Sequence, residues 1–414
     1  MAAPKLRFKE FSEDYNFSKF QEASIQIIDG DRGNNYPKSD DFYDNEYCLF
    51  LNAGNVTKSG FKFESTQFIN KEKDALLRKG KLQKNDLVIT TRGTVGNIAY
   101  FDESIPFENI RINSGMVIVR SEIDLEPIYL NQFLKSDLFE KWLEKNVFGS
   151  AQPQLTVKLL NSISISYPSK EEQTKIASFL SAVDEKINQL TQKHALLSQY
   201  KQGMMQKLFS QQIRFKADDG SEFWEWVEKK IIDVADYVDY RGKTPKKVEN
   251  GVLLVTAKNI RFGYIDYEVS QEYICSEDFD KVMRRGRAEI GDVLITTEAP
   301  LGNVASVDRE GIALAQRVIK YRGKNGILNN EFLKQKFLSE DFQALISSKA
   351  TGGTVQGIKG STLHNLEIHI PHDIEEQTKI ANFLSSIDQK IEVVAQQIEQ
   401  AKTWKKGLLQ QMFV

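Results

Sequence analysis

Cysteine and histidine are scarce in this chain, whose 414 residues include two cysteines and four histidines. Cys48 and Cys275 lie far apart, and neither has a neighbouring Cys or His at the spacing of a zinc site. We therefore expect no structural disulfide and no metal bound by this chain. A cytoplasmic protein fits this use of cysteine best.

Long apolar runs are also missing, so we expect no membrane-spanning helix. The first five residues lack the basic and then apolar pattern of a signal peptide. Neither sign of charge is in large excess, because the formal net charge is -2. A protein with this balance can still bind nucleic acid if its basic side chains lie together on one face. Its length predicts a globular protein of two or three domains.

The motifs of common catalytic centres are absent too. Gly242-Lys243-Thr244 resembles the end of a phosphate-binding loop, but Tyr237 stands where that motif needs a glycine. We find no Asn-Pro-Pro-Tyr motif for methylation of base amino groups, no glycine-rich cofactor loop after a strand, and no Gly-x-Ser-x-Gly elbow. We therefore expect no catalytic centre in this chain, although its scattered Asp and Glu residues leave a nuclease site open.

The chain instead carries one pattern twice. The sequence EEQTKIA at 171–177 returns 204 positions later at 375–381. A basic turn and the strand-like run that follows it, at 78–91, return less closely 206 positions later at 284–297. The change of offset indicates short insertions in loops. The order is variable domain, shared segment, variable domain, shared segment, with predicted bounds 1–168, 169–210, 211–371 and 372–414.

The two shared segments predict long helices. Their apolar residues recur at alternating spacings of four and three, the pattern of a heptad seam. Each helix would extend over about 36 residues, or roughly 54 Å. The seam residues are Ile176, Leu180, Val183, Ile187, Leu190 and Leu197 in the first copy, and Ile380, Leu384, Ile387, Ile391, Val394 and Ile398 in the second.

A narrow apolar stripe on a single helix needs a partner. The other copy is the first candidate, since an antiparallel coiled coil within the chain would relate the two variable domains by a pseudo-twofold axis. A parallel coiled coil between two chains is the alternative. His194 stands on the seam where the second copy has Ile398, and we interpret it as a packing or register residue rather than a metal ligand.

The variable domains predict an α+β fold. Runs of β-branched and apolar residues are typical of buried strands, and amphipathic segments at 127–146 and 330–347 predict one helix in each half. The predicted strands include 87–91, 116–119, 163–165, 252–255, 293–297 and 366–370. The fold class is therefore α+β, with two α/β domains separated by two long helices that pack as an antiparallel coiled coil.

The loops of both domains carry side chains suited to DNA. Arg and Lys neutralise phosphates, Arg pairs with guanine, Asn or Gln pairs with adenine, and acidic groups accept from cytosine. The candidates in the first domain are Arg32, Arg78, Lys79, Lys81, Arg92, Asn97, Arg111, Asn113 and Gln152. Those in the second are Arg241, Lys243, Lys258, Asn259, Arg261, Arg284, Arg285, Arg287, Glu298, Gln316, Arg317 and Gln356. The alternative is that many of them are ordinary solvated loop residues.

The duplication sorts these candidates by role. Residues that both copies share should do what both domains do, so the basic turns at 78–81 and 284–287 predict contacts to phosphate. Residues that differ at equivalent positions could carry different sequence preferences. Arg92 and Glu298 follow the same Ile-Thr-Thr strand yet have opposite charges, which makes them candidates for base recognition. Either could instead be the partner in a local salt bridge.

With these motifs the chain resembles a known family. Two divergent domains alternating with two copies of EEQTKIA, each opening a long helix, resemble the specificity subunit of type I restriction-modification systems. The resemblance covers essentially the whole chain, and the segments 149–152 and 353–356 also align with each other. One loop departs from it, because Gly33-Asn34-Asn35 stands where the second half has Gly242-Lys243-Thr244.

The resemblance implies a non-catalytic subunit of a bacterial or archaeal complex. Each variable domain would be a target recognition domain that reads one half of a bipartite site in double-stranded DNA. The helices would set the spacer and bind two modification subunits, which use S-adenosylmethionine to methylate adenine. Restriction subunits would add translocation and cleavage driven by ATP, with Mg²⁺. This chain itself would bind no cofactor.

Two other classes of function stay open on the residues alone. One is a self-contained DNA methyltransferase or nuclease. The other is a helical adaptor whose two domains bind protein.

Overall fold

The computed structural model describes residues 4–147, 153–240 and 245–414. The chain forms two compact units, one of Met1–Thr191 with Gln396–Val414 and one of Gln192–Ala395. Gln152, Arg241 and Lys243, which the sequence predicts to bind DNA, lie outside the described residues.

The first unit begins with mixed strands and short helices. Its strands are β1 Asn16–Lys19, β2 Ile25–Asp29, β3 Cys48–Phe50, β4 Val56–Thr57, β5 Gly60–Phe61, β6 Phe68–Ile69, β7 Leu87–Thr90, β8 Ile98–Tyr100, β9 Ile110–Arg111, β10 Met116–Ser121 and β11 Ser164–Tyr167. Its helices are α1 Lys71–Leu76, α2 Pro127–Leu134, α3 Asp137–Asn146 and α4 Val157–Asn161, and 3-10 turns lie at Ser39–Asp41 and Ala53–Asn55.

A four-stranded antiparallel sheet in the order β2-β10-β7-β8 forms the centre of this unit. Successive side chains of a strand point to opposite faces. Leu87 and Ile89 therefore share a core with Phe133 of α2, while Val88 shares a second core with Leu49 of β3. Because both faces of β7 are covered, its sequence is a continuous apolar run rather than an alternating one.

The second unit repeats this plan. Its strands are β12 Val227–Lys230, β13 Ala235–Asp239, β14 Lys247–Val248, β15 Val252–Val255, β16 Tyr273–Ile274, β17 Val293–Thr297, β18 Leu301–Ser306, β19 Ala313–Leu314, β20 Val318–Gly323 and β21 Glu367–Ile370. Its shorter helices are α6 Ile231–Val234, α7 Phe279–Val282, α8 Asn330–Leu338, α9 Glu340–Lys349 and α10 Gly360–His364, with a 3-10 turn at Ser276–Asp278. The central sheet has the order β13-β20-β17-β18, the same as in the first unit.

Two long helices complete the units. They are α5 Lys170–Phe209 and α11 Ile374–Met412. They fall within the segments 169–210 and 372–414 for which the sequence predicts helices, and each is slightly longer than the predicted length of about 36 residues.

In each unit the start of one long helix packs against the end of the other. In the first unit Leu180 shares a core with Leu408, and Lys405 Nζ donates to Asp184 at 2.6 Å. In the second unit Leu384 shares a core with Leu208, and Lys201 Nζ donates to Asp388 at 2.6 Å. The helix segments therefore run antiparallel within each unit, as the sequence predicts. The coiled-coil form of this packing stays a prediction.

Most of the predicted seam is buried. The buried seam residues are Ile176, Leu180, Val183, Leu190, Ile380, Leu384, Ile387, Val394 and Ile398, while Ile187, Leu197 and Ile391 are half-buried. His194 is half-buried as well.

The amphipathic segments of the two domains differ from the prediction. Segment 127–146 forms two helices, α2 and α3, and segment 330–347 forms α8 and α9. The break falls at Ser136 and Ser339, whose extended backbone begins the second helix of each pair. Each serine hydroxyl donates to a carbonyl at the end of the preceding helix, at 2.6 Å. Serine at such a position competes with helix continuation, which explains why a single helix does not form.

Among the described residues, the helices are too short or too polar to cross a membrane. In the same residues, His, Cys, Asp and Glu form no group of three or more that could hold a metal ion.

Candidate nucleic-acid interface

Several predicted DNA-binding residues of the first unit lie at one end of its central sheet. Val117 pairs with Asp29, Met116 with Thr90, and Ile89 with Ile98, so the end of β2, the end of β7, the start of β8 and the start of β10 meet at the same edge. The loops that join these strands to their neighbours therefore lie side by side. Because strands in this sheet alternate in direction, loops distant in sequence form one surface.

The loop after β2 and the basic turn after α1 contact each other directly. The Asp31 carboxylate accepts the backbone N–H of Arg78 at 2.5 Å and that of Arg32 at 2.8 Å. Burial raises the pKa of Asp31, but these N–H donors outweigh burial and the pKa is lowered. Gly30 packs so closely on the backbone of Asn113 that a Cβ would lie 2.2 Å from its carbonyl oxygen. The side chains of Arg32, Arg78 and Lys79 are exposed around this contact.

The loop after β7 presents a second basic group at the same edge. Arg92 is exposed, and its Nη2 and Nε lie 3.0 and 3.2 Å from the Gln154 amide in the orientation in which the amide oxygen accepts. The backbone N–H of Leu155 donates to the Thr91 carbonyl at 3.1 Å, which ties this neighbouring segment to the loop. Arg92 is therefore held by a second element.

The second unit places its basic turn in the same relation to the sheet. Tyr240, which follows β13, donates from its hydroxyl to the Gly286 carbonyl at 2.6 Å. Arg285 Nη1 donates to the Asp239 carbonyl at 2.7 Å. Arg284 is exposed on this turn, and Arg287 forms an ion pair with Asp280.

Glu298 follows β17 and has a basic neighbour. Arg317 Nη2 lies 3.6 Å from the Glu298 carboxylate, so the two form an ion pair. Gln316, Lys258 and Gln356 are exposed, and Arg261 pairs with Asp266 at 3.5 Å. The local salt bridge that the sequence left open for Glu298 is therefore present.

Four predicted DNA-binding residues of the first unit have partners within the fold. Arg111 is buried, pairs with the Asp74 carboxylate, and donates to the carbonyls of Lys79 and Leu77 at 2.7 and 3.0 Å. The remaining three also have internal partners: Lys81 donates to Asp74 at 2.7 Å, Asn97 donates to the Val56 carbonyl at 2.9 Å, and Asn113 accepts from the Gly115 N–H at 2.8 Å.

Asn259 has the same structural role in the second unit. It is fully buried, and its amide nitrogen donates to the carbonyls of Asp266 and Ser270 at 2.9 and 2.8 Å. Asn55 does the same in the first unit, donating to the carbonyls of Lys62 and Ser65 at 3.0 and 2.8 Å. Asn55 and Asn259, which lie 204 positions apart, therefore build the same turn in the two units, and we assign neither residue to the interface.

The repeated EEQTKIA motif has a structural role that the sequence did not predict. Glu172 is buried and accepts two hydrogen bonds from the Arg7 guanidinium, at 2.9 and 2.7 Å. Glu376 does the same with Arg214, at 3.0 and 2.9 Å. Each copy of the motif has an arginine upstream, Arg7 or Arg214, and this repeated arginine could have indicated the pairs.

The glutamine of the same motif fixes the long helix to the domain. The Gln173 amide accepts from the Glu126 N–H at 2.8 Å and donates to the carbonyls of Asp124 and Pro168 at 3.0 and 2.9 Å. Gln377 makes the equivalent three bonds in the second unit. Glutamate and glutamine together anchor the start of each long helix to its own unit, which explains their repetition.

Comparison with known proteins identifies the class. Residues 24–198 and 224–403 match the family model described as the Type I restriction modification DNA specificity domain, and the chain belongs to this family. It is a specificity subunit of a type I restriction-modification system, a non-catalytic subunit for recognition of DNA sequence.

Two curated relatives come from Methanocaldococcus jannaschii. The type I restriction enzyme MjaVIII specificity subunit is 29% identical over 300 residues, which is 69% of this chain and 69% of the relative. The putative type I restriction enzyme MjaX specificity subunit is 27% identical over 340 residues, 78% of this chain and 75% of the relative.

Two solved structures share the fold. The type I restriction-modification S subunit from M. genitalium has a TM-score of 0.62 at 15% identity, covering 100% of this chain and 99% of that one. A chain from a study of complex assembly and conformational transition in the type I system has a TM-score of 0.56 at 18% identity, with 97% of each chain covered. At these identities the likeness concerns the fold alone.

Proposed function

We propose that this subunit reads a bipartite site in double-stranded DNA, with one half-site for each unit. The variable segments 1–168 and 211–371 would be the target recognition domains. The observation that carries this proposal is the repeated sheet edge: both units present exposed basic loops at the same end of the same four-stranded sheet. A shared frame with different side chains suits two related but distinct sequence preferences.

Contacts to phosphate come from the basic turns. Arg78, Lys79 and Arg284 are exposed at equivalent places, and their charge neutralises phosphates without reading sequence. Arg32 adds a further positive charge beside the turn of the first unit. Gln316 and Gln356 in the second unit have amides that can pair with adenine.

The long helices set the distance between half-sites and bind two modification subunits. Those subunits carry S-adenosylmethionine and methylate adenine, and restriction subunits add cleavage that depends on ATP and Mg²⁺. The complex would work in the cytoplasm of a bacterium or archaeon, where its DNA lies. This chain selects the site and supplies no reacting group.

The test uses the chain with and without its modification subunits. Gel-shift titrations on a DNA library should select two fixed half-sites separated by a spacer of constant length, with an affinity that falls as salt rises. The complex should methylate adenine at the selected sites, and the partner-free chain should transfer no methyl group. Selection of a single continuous site, or methyl transfer by the chain alone, would refute the proposal.

A further inference from the structure

Equivalent strands in the two units lead into side chains of opposite charge. In the first unit the Thr90 hydroxyl accepts the Asn97 N–H at 3.0 Å, and in the second the Thr296 hydroxyl accepts the Asn303 N–H at 2.9 Å. The same threonine hydroxyl therefore makes the same backbone contact at the end of the strand in both units. The residue after the Thr-Thr pair is Arg92 in one unit and Glu298 in the other.

The side chain of Gln154 holds the Arg92 guanidinium from one side. The Gln154 amide oxygen accepts from Nε and Nη2, which form one edge of the guanidinium. A guanidinium has five N–H donors in a planar fork, so its Nη1–Nη2 end can still donate two hydrogen bonds. Support along one edge fixes the plane in which the other end can meet a base.

Glu298 is held by contacts with Gly357 and Arg317. Its backbone forms a β-bridge with Gly357, and a Cβ at Gly357 would lie 3.3 Å from the Glu298 Cγ. Arg317, the ion-pair partner, has a φ of 72°, a conformation that is uncommon for a residue other than glycine. Its carbonyl accepts the Thr297 N–H at 2.9 Å, so this conformation is fixed to the end of the strand.

The Glu298–Arg317 pair is weak enough to open for a base. The side chains are 42% and 49% exposed, and their charged atoms are 3.6 Å apart. Exposed ion pairs contribute little to stability because water screens them and two long side chains must be ordered. A base can therefore take the place of Arg317 as the partner of the Glu298 carboxylate at little cost.

We propose that Arg92 and Glu298 determine base specificity in the two half-sites, an inference that rests on the proposed function. Arg92 would select a guanine, donating to O6 and N7, and Glu298 would select a cytosine, accepting from its N4 amino group. Gln154 and Arg317 are positioning residues. The two units thus share a reading position and differ in the base that it selects.

The experiment measures base preference in the complex with its modification subunits. A panel of duplexes carries each of the four base pairs at every position of both half-sites, and relative methylation and competition binding are measured for each duplex. The variants are Arg92→Gln and Glu298→Gln, which remove charge from exposed side chains. Each variant controls for the other, and Glu310→Gln is a matched control on an exposed loop that follows β18.

Arg92→Gln should lower the preference for guanine at one base pair of the first half-site by roughly tenfold or more, leaving the second half-site unchanged. Glu298→Gln should do the same for cytosine at one base pair of the second. Gln154→Ala should weaken discrimination at the base pair that Arg92 reads, and Gln154→Glu, which keeps an acceptor beside Arg92, should restore it.

The outcomes separate this inference from the proposed function. If the parent complex shows no bipartite preference, the proposed function fails. If it shows one, and Arg92→Gln and Glu298→Gln leave every base preference unchanged or alter the other unit's half-site, the inference is overturned. Competition binding reports base preference even for a variant that methylates slowly, so each folded variant gives a decision.

Discussion

At the scale of single residues, the anchor pairs explain why two halves with divergent loops keep one helix-opening motif. Glu172 is 1% exposed and Glu376 is fully buried, and each is bonded to an arginine from an upstream segment of its own unit. A buried carboxylate is costly without such a partner. The hydrogen bonds to Glu172 also raise the pKa of Arg7 above its ordinary value.

Glu172→Ala should therefore destabilise the first unit. Removing one member of a largely buried ion pair costs about 3 kcal/mol, because the partner loses its hydrogen bonds. Glu171→Ala is the matched control: Glu171 is the neighbouring glutamate and is exposed, so its loss should cost less than about 0.5 kcal/mol. Urea unfolding of both variants measures the difference. Equal stabilities would show that the anchor contributes nothing.

The lowered pKa of Asp74 leads us to expect that the stability of the first unit depends on pH. Burial raises the pKa of this carboxyl, but hydrogen bonds from Lys81 and Arg111 outweigh burial, so its pKa is lowered in the folded state. A lowered folded pKa stabilises the fold above the ordinary value of about 3.9, and the stabilisation is lost as the pH falls through the folded pKa.

Asp74→Asn should accordingly lower the Tm at about pH 6. The difference in Tm between the parent and the variant should shrink as the pH falls towards about 3. Thermal melts of the parent and the variant across this range measure the gap. Asp44→Asn, at an exposed position, is the matched control. A gap that stayed constant or widened on acidification would contradict the assignment.

The sequence could not separate buried candidate residues from exposed ones. Arg111 and Asn259 are polar residues in segments rich in loops, and from sequence alone they resemble Arg92 or Gln316. What separates them is burial, since buried polar groups must find internal partners. Those partners, Asp74 and two distant carbonyls, are set by tertiary contacts that sequence spacing does not reveal.

At the scale of elements, strands were predicted best where both faces are covered. The runs at 252–255 and 293–297 match β15 and β17 residue for residue. All five residues of β17 are buried, and a strand buried on both faces is a continuous β-branched and apolar segment. Two-residue strands such as β9 were not predicted, since their pairing depends on contacts distant in sequence. The break at Ser136 was also missed, because amphipathic spacing continues through it.

The heptad pattern does not predict which residues are buried near the end of the first long helix. Continuing the seam from Leu197 by seven residues predicts burial of Met204, yet Met204 is half-buried while Met205 is buried. An ideal helix drifts by about 20° in each heptad relative to a repeat of 3.5 residues. The buried face therefore moves on by one residue near the end, where Met205 and Leu208 join the core of the second unit.

The basic turn of the second unit gives a prediction at this scale. Arg284→Ala should weaken binding to all DNA sequences alike and lower the slope of log affinity against log salt by about 0.9, the loss of one phosphate contact. Arg285→Ala and Arg287→Ala are expected to act in the same direction. Arg309→Ala is the matched control, because Arg309 is exposed in a loop after β18 and stacks on Tyr267 at 3.6 Å.

Salt titrations on specific and random duplexes measure this effect. A change confined to the preferred sequence would assign Arg284 to base recognition instead. An unchanged slope would remove the turn from the interface altogether.

At the scale of the whole molecule, the duplication extends from sequence to contacts. Gln132 donates to Asp184 at 2.9 Å, and Gln335 donates to Asp388 at 2.9 Å, so the same glutamine on α2 and α8 meets the same aspartate of a long helix. These aspartates also accept from Lys405 and Lys201. Each carboxylate thus joins a domain to both long helices within its unit.

The last prediction concerns the distance between half-sites. If the long helices set this distance, inserting four residues between Gln192 and Ser198 adds about one helical turn, or roughly 6 Å. The seam is then only slightly rephased. The DNA spacer should grow by one or two base pairs, at about 3.4 Å per step, while both half-sites keep their sequences because the loops are untouched.

Mapping of methylated sites across a genome, for the parent and the insertion variant, measures the spacer directly. A second variant with four residues inserted between β18 and β19, after Glu310, is the matched control, since it lengthens an exposed loop and leaves both long helices unchanged. It should keep the parental spacer, because loops tolerate insertions without moving the elements that they connect. An active helix variant with an unchanged spacer would show that the helices do not set the distance, whereas altered half-site bases would show that the insertion reaches the recognition loops.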